Sequence, residues 1–283
     1  MFSRIVLVCA GAAAFLAAAG CAGGAGSTGT EVVAAFYPLA YAAEQIGGPG
    51  VTVRNLTPAG AEPHDIELSP RDVERLQAAD VVLYLGGGFM PQVEAAVAGR
   101  DNAVDLLHES DVLVGTGGAD PHVWLDPVRF AAIARRIGTA LRSPEGADRL
   151  ATRLEGLDRE LRAGLADCAR REIVTAHAAF GYLASRYELT EVALTGLAPE
   201  AEPPARELEA LVDEVRRTGA TTVFVEPLVA PGLARTIARE AGVTAAVLDP
   251  LEGLGHAELG RGADYFSVMR SNLTALRRAL GCR

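Results

Sequence analysis

His64, His122 and His177 each sit directly after an apolar run or at a proline-marked boundary, in a chain with five histidines in all. Asp249 ends a fourth apolar run in the same way. Neutral imidazoles with a carboxylate make the tetrahedral shell taken by borderline-soft divalent ions, zinc above all. Groups spread from position 64 to position 249 cannot form a local metal finger. The fold has to bring them together around one ion. Whether such an ion is used or carried turns on the fourth place in the shell. Three imidazoles and an open position lower the pKa of a bound water to about 7 and create a nucleophile, the signature of a hydrolase or hydratase. A fourth protein ligand closes the shell and leaves a site that binds without catalysing. Asp249 predicts the closed form, with water, Glu62 or Glu226 as the alternatives for that place. The chain has no metalloprotease HExxH and no evident Ser–His–Asp or Cys–His order. His108 and His256 read as ordinary structural or surface histidines, and Trp124, two residues from His122, reads as packing.

Composition and leader place these groups outside the cytoplasm. Arg4 precedes an uncharged apolar stretch, 5–19, too short to span a bilayer comfortably. Ala17, Ala18, Ala19 and Gly20 then lead into Cys21. Small residues suit a signal-peptidase site, and the cysteine resembles a bacterial lipobox, although Ala18 stands where Leu is commoner. The expected mature chain begins at a lipid-bearing Cys21; an ordinary secretory cut is the alternative. Residues 21–30, rich in Gly and Ser, read as a flexible tether, and no later segment reaches membrane-spanning length. A net charge of −10 argues against a nucleic-acid partner. All 26 basic residues are Arg, which excludes Schiff-base and P-loop lysine chemistry. Cys168 and Cys282 remain as a pair in an oxidising compartment and predict a disulfide, with two free buried thiols as the alternative.

From residue 31 apolar runs alternate with amphipathic stretches. Strands are expected at 31–36, 51–57, 81–85 and 103–106, and again at 172–175, 191–194, 222–225 and 244–248. Ser69–Pro70 and Asp126–Pro127 are helix starts, each an N-cap followed by proline at the first helical position. Helical stretches around 178–187, 205–218 and 232–241 separate the later strands. Repeated βα units imply two parallel-sheet lobes of about four strands each, flanked by helices. Between them, Leu150, Leu154, Leu157, Leu161 and Leu165 recur at helical spacing. A helix over 145–168 would be about 36 Å long and suits a rigid strut joining the lobes. The expected division is a signal peptide at 1–20, a tether at 21–30, an N-terminal lobe at 31–144, the linking helix at 145–168 and a C-terminal lobe at 169–283. In open α/β sheets ligands bind beyond the carboxyl ends of strands, where most of the candidates fall. Such an ion would sit between the lobes.

Ordered signatures along the chain carry a resemblance. Glu62-Pro63-His64-Asp65-Ile66-Glu67-Leu68-Ser69-Pro70, Asp120-Pro121-His122-Val123-Trp124-Leu125-Asp126-Pro127 and Thr175-Ala176-His177-Ala178-Ala179-Phe180-Gly181-Tyr182 are three of them. Val225-Glu226, Leu248-Asp249-Pro250-Leu251 and the 264–273 segment complete the series. Together they resemble the zinc- and manganese-binding solute-binding proteins of bacterial metal ABC importers over essentially the whole mature chain. That resemblance implies two lobes joined by a backbone helix, with one metal between them and a membrane permease as partner. It carries the ligand role onto His64, His122, His177 and Asp249. His177 stands where manganese-type members tend to have Glu, so the implied cargo is Zn2+ rather than Mn2+. Glu202 and Glu226 are assigned to orienting the imidazoles. Many zinc-type members carry a His-rich loop before the second signature, and this chain does not. The expected function is zinc capture for import by a monomer, not an enzyme. An exported zinc hydrolase or a surface adhesin is the alternative.

Overall fold

The computed structural model describes residues 29–107, 113–115, 118–199 and 207–283. The expected signal segment, nearly all of the expected tether with Cys21, and His108 and Glu202 lie outside them.

The first half runs β1 (Thr30–Ala34), α1 (Tyr37–Gly47), β2 (Val51–Asn55), α2 (Pro70–Ala78), β3 (Val81–Tyr84), α3 (Pro91–Val97) and β4 (Ala103–Asp105). A two-residue hairpin, β5 (Val114–Gly115) and β6 (Gly118–Ala119), leads to α4 (Pro127–Ala140). The linking helix α5 (Pro144–Leu165) follows. The second half runs β7 (Glu172–Thr175), α6 (Gly181–Arg186), β8 (Thr190–Ala193), α7 (Leu208–Thr218), β9 (Thr222–Val225), α8 (Gly232–Ala241), β10 (Thr244–Val247), α9 (His256–Gly260) and α10 (Tyr265–Leu280). All eight expected strands are present, most of them a residue or two shorter.

Both large sheets are parallel, ordered β2-β1-β3-β4 and β8-β7-β9-β10. The two orders are the same topology, a repeat the sequence does not display. In each, the first strand of the half lies inside the sheet, so the connections run outward on either side of it and open a crevice at the carboxyl ends. β1 is apolar throughout its buried part, with Val32, Val33 and Ala34 at most 3% exposed, as a strand covered on both faces requires.

Helix starts follow the local chemistry. Ser69 and Asp72 close a capping box on α2, and Asp126 accepts from the Val128 and Arg129 amides at the start of α4. All five leucines at helical spacing on α5 are buried. They pack the helix on α4 and α1 of the first half and on α10 of the second. Gly164 makes the last approach possible, because a Cβ there would meet Leu273 Cδ1 at 2.9 Å.

One apolar core runs from the first sheet through α5 to α6 and α10. A smaller one lies between the second sheet and α7 and α8. The α5 seam is therefore packed interior. A polar tie crosses it: Arg186 of α6 donates to both oxygens of Asp158 on α5 at 2.9 and 3.0 Å, and its Nε lies 3.7 Å from the α4 cap Asp126. Cys168 and Cys282 are disulfide-bonded, joining the chain beyond α5 to the C-terminus. Among the described residues no helix is long and apolar enough to cross a membrane.

Candidate metal centre

Each site side chain is set by a short, tightly turned segment at a strand end. His64 lies in a turn of 3-10 helix, Pro63–Asp65, on the connection from β2 to α2, and the Glu62 carboxylate accepts from its amide. His122 immediately precedes the 3-10 turn Val123–Leu125 that feeds α4. His177 follows β7 by one residue, and Glu226 directly follows β9. Beyond β10 the chain makes the turn Asp249-Pro250-Leu251-Glu252. The Gly60 amide donates to Leu254 O at 3.1 Å, so the loops bearing His64 and Glu252 are bonded directly to each other across the two halves.

The three predicted histidines converge, and the acid among them is Glu252. Their ligand atoms all lie within 4.8 Å of one another. Glu252 Oε1 is 3.0 Å from His64 Nε2, 3.0 Å from His122 Nε2 and 3.5 Å from His177 Nε2. The Nε2 atoms of His122 and His177 are 3.4 Å apart. A tetrahedron with bonds of about 2.0–2.1 Å has edges of about 3.3–3.4 Å, so four donors gathered this closely are near enough to share one zinc-sized ion. Three of the four groups are buried and His64 is 11% exposed, which makes it the ligand nearest solvent. Glu252 Oε2 and Glu62 Oε2 are both buried, and the two carboxyls interact with each other.

Asp249 corrects the expectation. It is buried but stands outside the cluster, because its carboxylate is turned back on its own loop. Asp249 Oδ1 accepts from the Leu251 amide at 2.7 Å. Asn272 brackets its backbone, accepting from Asp249 N at 2.9 Å and donating to Asp249 O at 2.7 Å. Leu251 then takes the left-handed conformation, φ 58°, which throws the chain around and aims Glu252 inward. Two acids three residues apart compete for one place, and the turn decides between them. In the sequence only the Asp249/Glu252 spacing hints at the choice.

Carboxylates set the imidazole tautomers. Asp120 Oδ1 accepts from the His122 amide at 2.9 Å and lies 2.8 Å from His122 Nδ1. Glu226 Oε1 accepts from the His177 amide at 3.2 Å, and Oε2 lies 2.6 Å from His177 Nδ1. Since a carboxylate only accepts, His122 Nδ1 carries the proton and its Nε2 is left for the metal, while Glu226 lies against His177 Nδ1 as an ion-pair partner. Glu226 was legible in the sequence. Asp120 was missed as an orienting group, although its two-residue spacing from His122 was the available signal.

Burial alone would lower the His177 pKa, but contacts with Glu226 and Glu252 outweigh it and push it up to about 10. His122 is raised in the same way, against its burial, by Asp120 and Glu252. Burial would raise Glu252, and the three imidazoles nevertheless hold it well below the usual carboxylate range. Burial and the neighbouring Glu252 push Glu62 up to about 9. At neutral pH the metal-free site thus holds imidazolium, whose proton a metal must displace from the coordinating nitrogen. Zinc binding at pH 7 is expected to release one to two protons. Acid favours the protonated, metal-free form, so apparent affinity rises about tenfold per pH unit per proton released, up to the raised pKa. Calorimetry in buffers of different ionisation enthalpy checks this; a buffer-independent heat would contradict it.

The family model described as zinc-uptake complex component A, periplasmic (ZnuA), matches residues 32–279. The zinc-binding protein AdcA of Streptococcus pyogenes is 34% identical over 284 aligned positions, covering 87% of this chain and 55% of AdcA. This chain therefore spans about half the length of that relative. The high-affinity zinc uptake system protein ZnuA of Bacillus subtilis is 30% identical, with 95% of each chain covered. Among solved structures, the Zn(II)-bound ZnuA-like domain of Streptococcus pneumoniae AdcA superposes with a TM-score of 0.76 at 33% identity, covering 89% of this chain and 99% of that one. A match of this extent takes in both sheets, the linking helix and all four clustered residues, and on it the chain belongs to the ZnuA family.

Proposed function

We propose that this protein captures one Zn2+ ion outside the cytoplasm, between its two sheets, and delivers it to the membrane permease of an ABC importer. The observation that carries this reading is the set of three imidazoles and one carboxylate whose ligand atoms lie within 4.8 Å of one another. Zinc is satisfied by that donor set, whereas manganese prefers more oxygen. Four protein donors leave no place for an activated water, which supports a carrier rather than a hydrolase. One copy supplies every ligand, so a monomer suffices. The relatives' names support an extracytoplasmic location; the finer reading is a lipid anchor at Cys21. Residues 31–144 and 169–283 form the two lobes, and 145–168 joins them.

Stripping the purified protein and reloading it with equimolar zinc and manganese is expected to give one zinc per chain and little manganese. Stoichiometry well above one, manganese winning the competition, or zinc-dependent ester hydrolysis above background would each overturn the reading.

A further inference from the structure

We infer that Trp124 is a positioning residue that fixes the reach of Glu252 and so sets the preference of the site for a four-coordinate ion; the inference rests on the zinc-capture reading. Trp124 is the chain's sole tryptophan and is 1% exposed. Its ring packs edge-on against Phe36 with centroids 4.8 Å apart, and its centroid lies 5.1 Å from that of His122. Its indole Nε1 donates to Pro250 O at 2.7 Å. The indole thus reaches from the segment that carries His122 to the loop that carries Glu252. Its own carbonyl is pinned in turn, accepting from the Tyr265 hydroxyl at 2.6 Å.

The same loop is also held by Asn272 and by the Asp249 carboxylate. Directly after these contacts on Asp249 and Pro250 stands Leu251 at φ 58°, a conformation that branched residues avoid unless their surroundings impose it. Removing one set lets the turn relax, and Glu252 moves with it. As held, Glu252 presents Oε1 to all three imidazoles, while Oε2 is buried away from them. One carboxylate oxygen and three nitrogens are four donors, the number zinc takes. Manganese seeks additional oxygen, which this carboxylate could supply only by turning to offer both atoms. The Trp124 tether opposes that turn.

Two replacements test this in the full chain: Trp124→Phe, and substitution of the sole tryptophan by benzothienylalanine, which keeps the shape and deletes the N–H. Zinc and manganese affinities are measured by chelator competition, with circular dichroism to establish folding. Zinc affinity is expected to fall about 10–100-fold, the range found when outer hydrogen bonds of metal sites are removed, and manganese affinity by no more than about threefold. The zinc-over-manganese preference therefore narrows. Equal weakening of both metals marks a merely structural role and overturns the inference, as does no change in either. If Trp124→Phe does not fold, the near-isosteric analogue decides. A wild-type protein that took no zinc would overturn the zinc-capture reading and this inference with it, whereas unaltered preference in the replaced proteins overturns the inference alone.

Discussion

Glu252→Ala is expected to weaken zinc binding by roughly 10²–10³-fold, while Asp249→Asn stays within about tenfold of the wild type. Zinc sites of four protein ligands are worth about 10–16 kcal/mol, so an even share is roughly 2.5–4 kcal/mol, equivalent to that loss. Among the described residues Glu252 Oε1 is the one carboxylate atom in contact with all three Nε2 atoms, and removing it opens the shell to water. Asp249 acts at one remove. Its Oδ1 holds the Leu251 amide, an acceptor role the Asn side chain keeps. Burial pushes Asp249 up to about 7, so replacing it with a neutral isostere changes little near neutrality. Chelator competition on both variants checks the ordering; an Asp249→Asn loss as large as that of Glu252→Ala would restore Asp249 as the ligand. Weak zinc-dependent ester hydrolysis in Glu252→Ala alone would be a further mark of the opened shell.

Replacing both Cys168 and Cys282 with alanine is expected to cost about 4–5 kcal/mol of stability, read as a fall of roughly 10 °C or more in melting temperature. The bond closes a loop with a sequence separation of 114, and chain-entropy reasoning puts most of its effect in the unfolded state. The native geometry there is also held by backbone: Arg170 N donates to Leu280 O at 3.1 Å, and Arg283 N donates to Asp167 O at 2.9 Å. Those bonds survive the replacement, so the folded state should change little. The bridge lies before the amino end of β7, while the site lies beyond carboxyl ends of strands, so zinc affinity should be unaltered. Chemical denaturation under oxidising conditions measures the difference. A loss below about 1 kcal/mol would show that α5 and α10 are already fixed by packing alone.

The parts of this protein that obey local rules could be read directly from its residues. The alternation of apolar strands with capped amphipathic helices was legible because caps such as Ser69 and Asp126 satisfy backbone amides within their own turn. The leucine stripe of α5 was legible because its period is that of the helix it builds. His64, His122 and His177 stood out because each ends an element and imidazoles are few. Tertiary structure decided the rest. The identical strand order of the two sheets depends on which strands pair across the crossovers, and so does the core that runs unbroken through α5. The fourth group of the site depended on one backbone torsion. With Leu251 left-handed, Asp249 caps its own loop and Glu252 faces the imidazoles. That torsion is unfavourable for leucine in isolation, and Trp124 and Asn272, distant in sequence, hydrogen-bond the two residues that precede it.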